Sequence, residues 1–95
     1  MIRHIVFFSA KDKSEVAEIC SRLAVLASIP HSIRFEVLEN LQVDPMSNEV
    51  DIVVYGEFAD LDALKAFKAH PTYAETTARV RPMRELRVSA DVLSD

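Results

Sequence analysis

The segment Ile2-Arg3-His4-Ile5-Val6-Phe7-Phe8 constrains this chain most, because it reads as a strand that is apolar on both sides. Alternation puts Ile2, His4, Val6 and Phe8 on one face and Arg3, Ile5 and Phe7 on the other. β-branched and aromatic side chains favour that conformation. A strand of this kind belongs where both of its faces are covered. With 95 residues the chain has room for one domain, residues 1–95, so the cover must come from its own helices or from another copy.

Composition removes several functional classes. Hydrophobic residues make up 49% of the chain, too many for disorder. Its single glycine, Gly56, rules out both a dinucleotide-binding fingerprint and a phosphate-cradling loop. One cysteine, Cys20, allows neither an internal disulfide nor a cysteine-based zinc cluster, and it reads as a reduced, buried thiol. The net charge of −4 argues against nucleic acid as a partner. The apolar opening is too short for a signal segment or a membrane span, so no membrane partner is expected and the expected location is cytoplasmic.

Asp12 followed by Glu15 resembles a capping box and opens a helix to about Ser28, with Val16, Ile19, Cys20, Leu23, Leu26 and Ala27 as its buried stripe. Ile33 to Leu41 reads as a second strand, with Ile33, Phe35, Val37 and Leu41 on one face. Residues Asp44 to Asn48 form a turn, and Val50 to Phe58 a third strand. Asp60 caps a second helix that breaks at His70-Pro71 and restarts to about Val80. Arg84 to Leu93 is the last strand, with Leu86, Val88, Ala90 and Val92 opposite Arg87, Ser89 and Asp91.

Strand, helix, two strands, helix, strand is the α+β, ferredoxin-like order: a four-stranded antiparallel sheet with both helices on one face. The other face, read as the side of Val6, Phe35, Val54 and Val88, is then bare. Four strands give it roughly 400 Å², the upper limit for a monomer. A second copy of the chain is the simplest cover, so a homodimer joined through the sheet is expected. On this reading Tyr55 faces the helices, and Gly56 leaves space on the inner face that Gly56→Leu would fill.

The opening Arg-His-Ile-Val-Phe-Phe, the Phe35-Glu36-Val37 strand with Asn40, and the stretch Leu64 to Pro71 together resemble the stress-responsive A/B barrel (Dabb) family. The closing Arg-Pro-Met and Arg-Val-Ser-Ala-Asp extend the match over nearly the whole chain. The resemblance implies a dimeric α/β barrel and fixes no activity. A polyketide cyclase branch of that family, which makes olivetolic acid, implies a histidine on the first strand, a tyrosine on the second helix and a further histidine beyond the His-Pro pair. By motif these fall on His4, Phe67 and Tyr73, so only the first is retained.

His4 shares a face with Val6 and Phe8 and is expected to point into the apolar space between sheets. It is either a core histidine or the best candidate for proton transfer. Tyr73 either orients a substrate at a cavity mouth or simply packs. Val6, Phe8, Val54, Gly56, Phe67 and His70 complete the candidate ligand-binding set, although the break before Pro71 also gives His70 a structural use. His31 is expected to be exposed. The three histidines lack metal-ligand spacing, so neither metal nor cofactor is expected. Arg79, Arg81, Arg84 and Arg87 read as a solvated surface paired with the acidic first half. The expected function is binding of a small apolar or aromatic molecule in a cavity between sheet and helices. The alternative is a cofactor-free enzyme, polyketide cyclase-like or monooxygenase-like, with His4 as acid/base.

Overall fold

The computed structural model describes residues 1–47 and 49–94. Its elements run β1 (Ile2–Ala10), α1 (Val16–Ala24), β2 (Ser32–Glu39), β3 (Ile52–Phe58), α2 (Leu61–Ala69), α3 (Pro71–Val80) and β4 (Arg84–Leu93). The antiparallel sheet has the order β2-β3-β1-β4, as a ferredoxin-like chain requires.

The helix starts follow from local chemistry. The Asp60 carboxylate accepts from the Ala63 N–H at 2.8 Å and opens α2. His70 leaves the helical region ahead of Pro71, and its Nδ1 accepts from the Thr72 N–H at 3.1 Å, which caps α3. Asp12 accepts from both the N–H and the hydroxyl of Ser14. It starts a 3₁₀ turn at Lys13–Glu15, however, and the α-helix begins only at Val16. A second 3₁₀ turn at Val25–Ser28 tightens the far end, which turns Ala27 outward while Leu26 stays buried. Cys20 is half-buried rather than buried. His31 is exposed with a φ of 99°, in the left-handed region between that turn and β2. Asp44 accepts from the Met46 N–H in the following turn; Asn48, assigned to the same turn, lies outside the described residues.

Register corrects the face assignments. Directly opposed residues of antiparallel strands share a face. β1 pairs with β3 as His4↔Gly56, Val6↔Val54 and Phe8↔Ile52. All six are buried, against a helical layer of Ile19, Leu23, Leu26, Leu64, Phe67 and Val80. His4, Val6 and Val54 therefore lie under the helices and not on the side open to a second copy. β1 pairs with β4 as Phe7↔Val88, Phe8↔Arg87 and His4↔Asp91, which puts Val88 on the opposite face from Val6. The open face carries Leu38, Val53, Phe7 and Val88 in one row across all four strands, with Glu36, Tyr55, Ile5 and Ala90 in the next. Phe7, Leu38 and Val88 are 40%, 50% and 50% exposed. Tyr55 thus lies on the open face, donating its hydroxyl proton to Glu57 at 2.6 Å. On β2 a register shift between Ser32 and Arg34 leaves Ile33 exposed, and the strand ends at Glu39, so neither Ile33 nor Leu41 joins the Phe35 face.

Gly56 also has a different meaning from the one expected. A Cβ there would stand 2.9 Å from Phe58 Cε2 and 3.3 Å from Phe35 Cδ2. The position holds glycine because two rings close over its backbone, not because a void lies beside it. Phe58 has no exposed surface and little freedom to retreat. Gly56→Ala is accordingly expected to cost about 1–3 kcal/mol, the usual range for overpacking, and Gly56→Leu more. Chemical denaturation measures this directly, and an unchanged midpoint for Gly56→Ala would show that the rings move aside freely.

Candidate functional site

The helices pack mainly over β1, β2 and β3 and cover β4 least on the same side of the sheet. The result is a cavity with one wall missing. It is lined by His4, Val6, Phe8 and Val54 from the central strands, Phe35 from β2, and Leu23 and Leu26 from the first helical segment. Phe67, Tyr73 and Thr77 come from α2 and α3, and Arg87 from β4. Its volume is about 310 Å³ with the open mouth included. The space a water-sized group can enter is only about 20 Å³, so a ring, which needs an enclosed cavity of about 150 Å³, would enter only if the mouth or the walls open.

Aromatic edges form the back wall. Phe67 sits 5.4 Å from Phe35, 5.0 Å from Phe58 and 5.7 Å from Tyr73, centroid to centroid. The Phe58 and Tyr73 contacts are edge-to-face, the arrangement that ring quadrupoles favour. Phe67 offers no hydroxyl, and the Thr77 hydroxyl donates to the Tyr73 carbonyl within α3. His4 is therefore the lining side chain that can take up a proton near neutral pH, and the Tyr73 hydroxyl can donate a hydrogen bond.

His4 is 3% exposed, and its Nδ1 meets the Asp91 carboxylate at 2.5 Å. An ionised carboxylate only accepts hydrogen bonds, so the neutral imidazole carries its proton on Nδ1 and donates it to Asp91. Nε2 is then the basic atom. It has no hydrogen-bond partner among the described residues and is left for the cavity. Burial holds the imidazole below its ordinary value of 6.5, the Asp91 bond and charge oppose that shift, and the Lys68 and Arg87 charges reinforce it. At neutral pH the site thus presents an unprotonated imidazole already oriented by a carboxylate.

Of the residues expected at the site, His4, Val6, Phe8, Val54, Phe67 and Tyr73 come together around one cavity. Gly56 and His70 do not line it: Gly56 lies beneath the Phe35 and Phe58 rings, and His70 is spent on the α3 cap. Asp91 and Arg87 were missed. Both lie on the polar side of β4, which by alternation alone reads as solvent-facing. The arginine-rich quarter also departs from expectation, because none of Arg79, Arg81, Arg84 and Arg87 forms an ion pair among the described residues.

None of the curated proteins matches the chain in sequence. Among solved structures, a dimeric ferredoxin-like protein of unknown function from Thermobifida fusca is 25% identical, with a TM-score of 0.81 over 96% of this chain and 88% of that one. A Dabb family protein from Mesorhizobium loti is 26% identical, with a TM-score of 0.80 over 98% and 95%. The hydroxynitrile lyase of Passiflora edulis shares the fold at 18% identity, with a TM-score of 0.81 over 99% and 93%. The model of the stress responsive A/B barrel domain matches residues 2–94, and the chain belongs to that family.

Proposed function

We propose that this protein is a homodimeric, cofactor-free acid–base catalyst acting on a small apolar or aromatic molecule that enters between its sheet and helices. The observation that carries the reading is the Asp91–His4 pair, with Nε2 left for an apolar cavity. A neutral imidazole at Nε2 takes a proton from an acidic C–H or O–H of the bound molecule, and the Asp91 carboxylate stabilises the imidazolium that forms. The same nitrogen returns the proton to the product. Tyr73, whose phenol is a hydrogen-bond donor at neutral pH, orients the substrate's polar group. A second reading, binding without turnover, is supported by Phe67, which leaves the back wall without a hydroxyl.

Two single-ring compounds test the catalytic reading: mandelonitrile, followed by release of benzaldehyde, and 1-phenylbutane-1,3-dione, followed by deuterium entry at its central carbon. The wild-type chain should accelerate at least one of them, and His4→Gln should lose that acceleration while remaining folded. Acceleration of neither by the wild type would leave the binding reading alone.

Asp91→Asn removes the charge and the strong acceptor that favour protonated His4, so the imidazole should titrate lower still, as read by proton NMR. The wild-type shift also sets the direction of acid sensitivity. A folded-state value below 6.5 means that the unfolded chain takes the proton first, so stability falls as the pH drops below about 6.5 and levels off once folded His4 also titrates. His4→Gln should flatten that part of the profile.

Homodimerisation through the open sheet face is supported by its exposed apolar row and by the dimeric relative from Thermobifida fusca. Phe7→Glu would bury a charge at the centre of that interface. It should give a folded monomer in ultracentrifugation at micromolar concentration, and a dimer of unchanged stability would place the interface elsewhere.

A further inference from the structure

The seam between α1 and α3 is polar where two packed helices normally meet through apolar side chains. Thr72, Glu75, Thr76 and Arg79 recur at i, i+3, i+4 and i+7 along α3, so they share one side of it. Arg22 and Val25 of the first helical segment complete the walls of a groove there. It holds about 100 Å³ of space, against about 20 Å³ beside His4, and the two share no lining residue. An enclosed cavity of about 150 Å³ takes benzene, so the groove has room for about four or five non-hydrogen atoms, with an open side for anything larger. Its polar groups are largely unspent. Thr76 is 5% exposed, yet no hydrogen bond among the described residues engages its hydroxyl, whereas that of Thr77 is spent on the Tyr73 and Ala74 carbonyls. Glu75 and Arg79, one helical turn apart, form no ion pair with each other or with any described residue. Arg22 gives its Nε to Glu18 at 2.9 Å and its Nη1 to the Arg79 carbonyl at 3.4 Å, which leaves Nη2.

We propose that this groove binds the head group of a free α-amino acid. Its carboxylate lies on the Arg79 guanidinium and Arg22 Nη2, its ammonium on the Glu75 carboxylate, and the Thr76 hydroxyl donates to a carboxylate oxygen. Charge balance selects a zwitterion over a simple ion. Glu18 offsets Arg22 and Glu75 offsets Arg79, so an anion meets the Glu75 carboxylate and a cation meets the Arg79 guanidinium. A molecule that carries both signs a few ångströms apart satisfies both walls. The planar guanidinium fork suits a carboxylate, and a buried hydroxyl without a partner gains the hydrogen bond it lacks. The side chain of the amino acid leaves by the open side, so the groove reads the head group. A peptide terminus brings only one of the two charges and leaves the other wall unpaired.

Glycine tests the site, with acetate and methylammonium as its two halves. In NMR titrations of the wild-type protein, glycine should cause saturable shifts of backbone amides in α1 and α3. It should bind at least roughly tenfold more tightly than either half, the range of one charge-assisted hydrogen bond. Glu75 and Arg79 are exposed, so Glu75→Gln and Arg79→Gln should leave the fold intact while each weakens glycine binding about tenfold. His4→Gln should leave it unchanged, since His4 lies outside the groove. Acetate binding as tightly as glycine, or glycine affinity that survives Glu75→Gln, would overturn the zwitterion assignment. Glycine titration without saturable shifts in α1 and α3 would overturn the site itself.

Discussion

Antiparallel pairing of β1 with β4 is the constraint on which the rest of this molecule depends. It places Asp91 opposite His4 and Arg87 opposite Phe8, so residues about eighty to ninety positions apart in sequence meet on one face without a loop to guide them. The ladder is closed at its ends by backbone bonds, the Met1 amino group to the Ser94 carbonyl and the Ser94 N–H to the Met1 carbonyl. At the other end the Ser9 hydroxyl accepts from the Leu86 N–H, beside the register shift at Ser9/Ala10. Asp51 fixes the same end from the other side, accepting from the Ala10 N–H and from Lys13. A slip of one residue would move Asp91 to the opposite face and leave His4 buried without its acceptor.

Incomplete helical cover is what turns this ladder into a site. Three strands pack beneath helices and the fourth has little cover, so the same side of the sheet is dry at Val54 and wet at Asp91. An imidazole at that boundary experiences both environments: burial disfavours its charge, and a carboxylate that keeps some solvent holds its orientation. A fully buried pair would pay a desolvation cost for both ions, and a fully exposed one would give Nε2 no apolar neighbour.

Much of this was legible in the residues. The element order, the Asp60 cap and the break at His70-Pro71 each have a local chemical cause, and each stands in the structure where the sequence places it. Most of the cavity wall was legible too, from His4, Val6, Phe8, Val54, Phe67 and Tyr73. Which way that wall faces was not. Ile5 and Phe7 are as apolar as Val6 and Phe8, so alternation identifies two faces of β1 without saying which meets the helices. On β4 the signal misleads. An apolar row normally marks the side packed within its own subunit, yet Val88 and Ala90 lie on the open face and Arg87 and Asp91 on the helical side. Only register, which joins distant segments, settles the matter. The Gly56 error has a similar origin, since the rings that close over it come partly from another strand.

The two faces of β4 are mechanically coupled. As an edge strand it has one hydrogen-bonded neighbour, β1, and little helical cover. Its Leu86, Val88, Ala90 and Val92 row gains no burial from its own helices, so within one subunit the strand is held mainly by backbone bonds. A second copy packed against that row would supply the missing burial, at about 25 cal/mol per Å² of apolar surface removed from water. That same strand carries Asp91 and Arg87. Dimer packing on one side of the sheet would therefore stiffen the carboxylate that orients His4 on the other, without the partner reaching the cavity. On this view, loss of the dimer weakens the site by loosening β4, and the effect should be greatest for Asp91 and Arg87 and least for Val54 and Phe67, which the subunit's own helices hold in place.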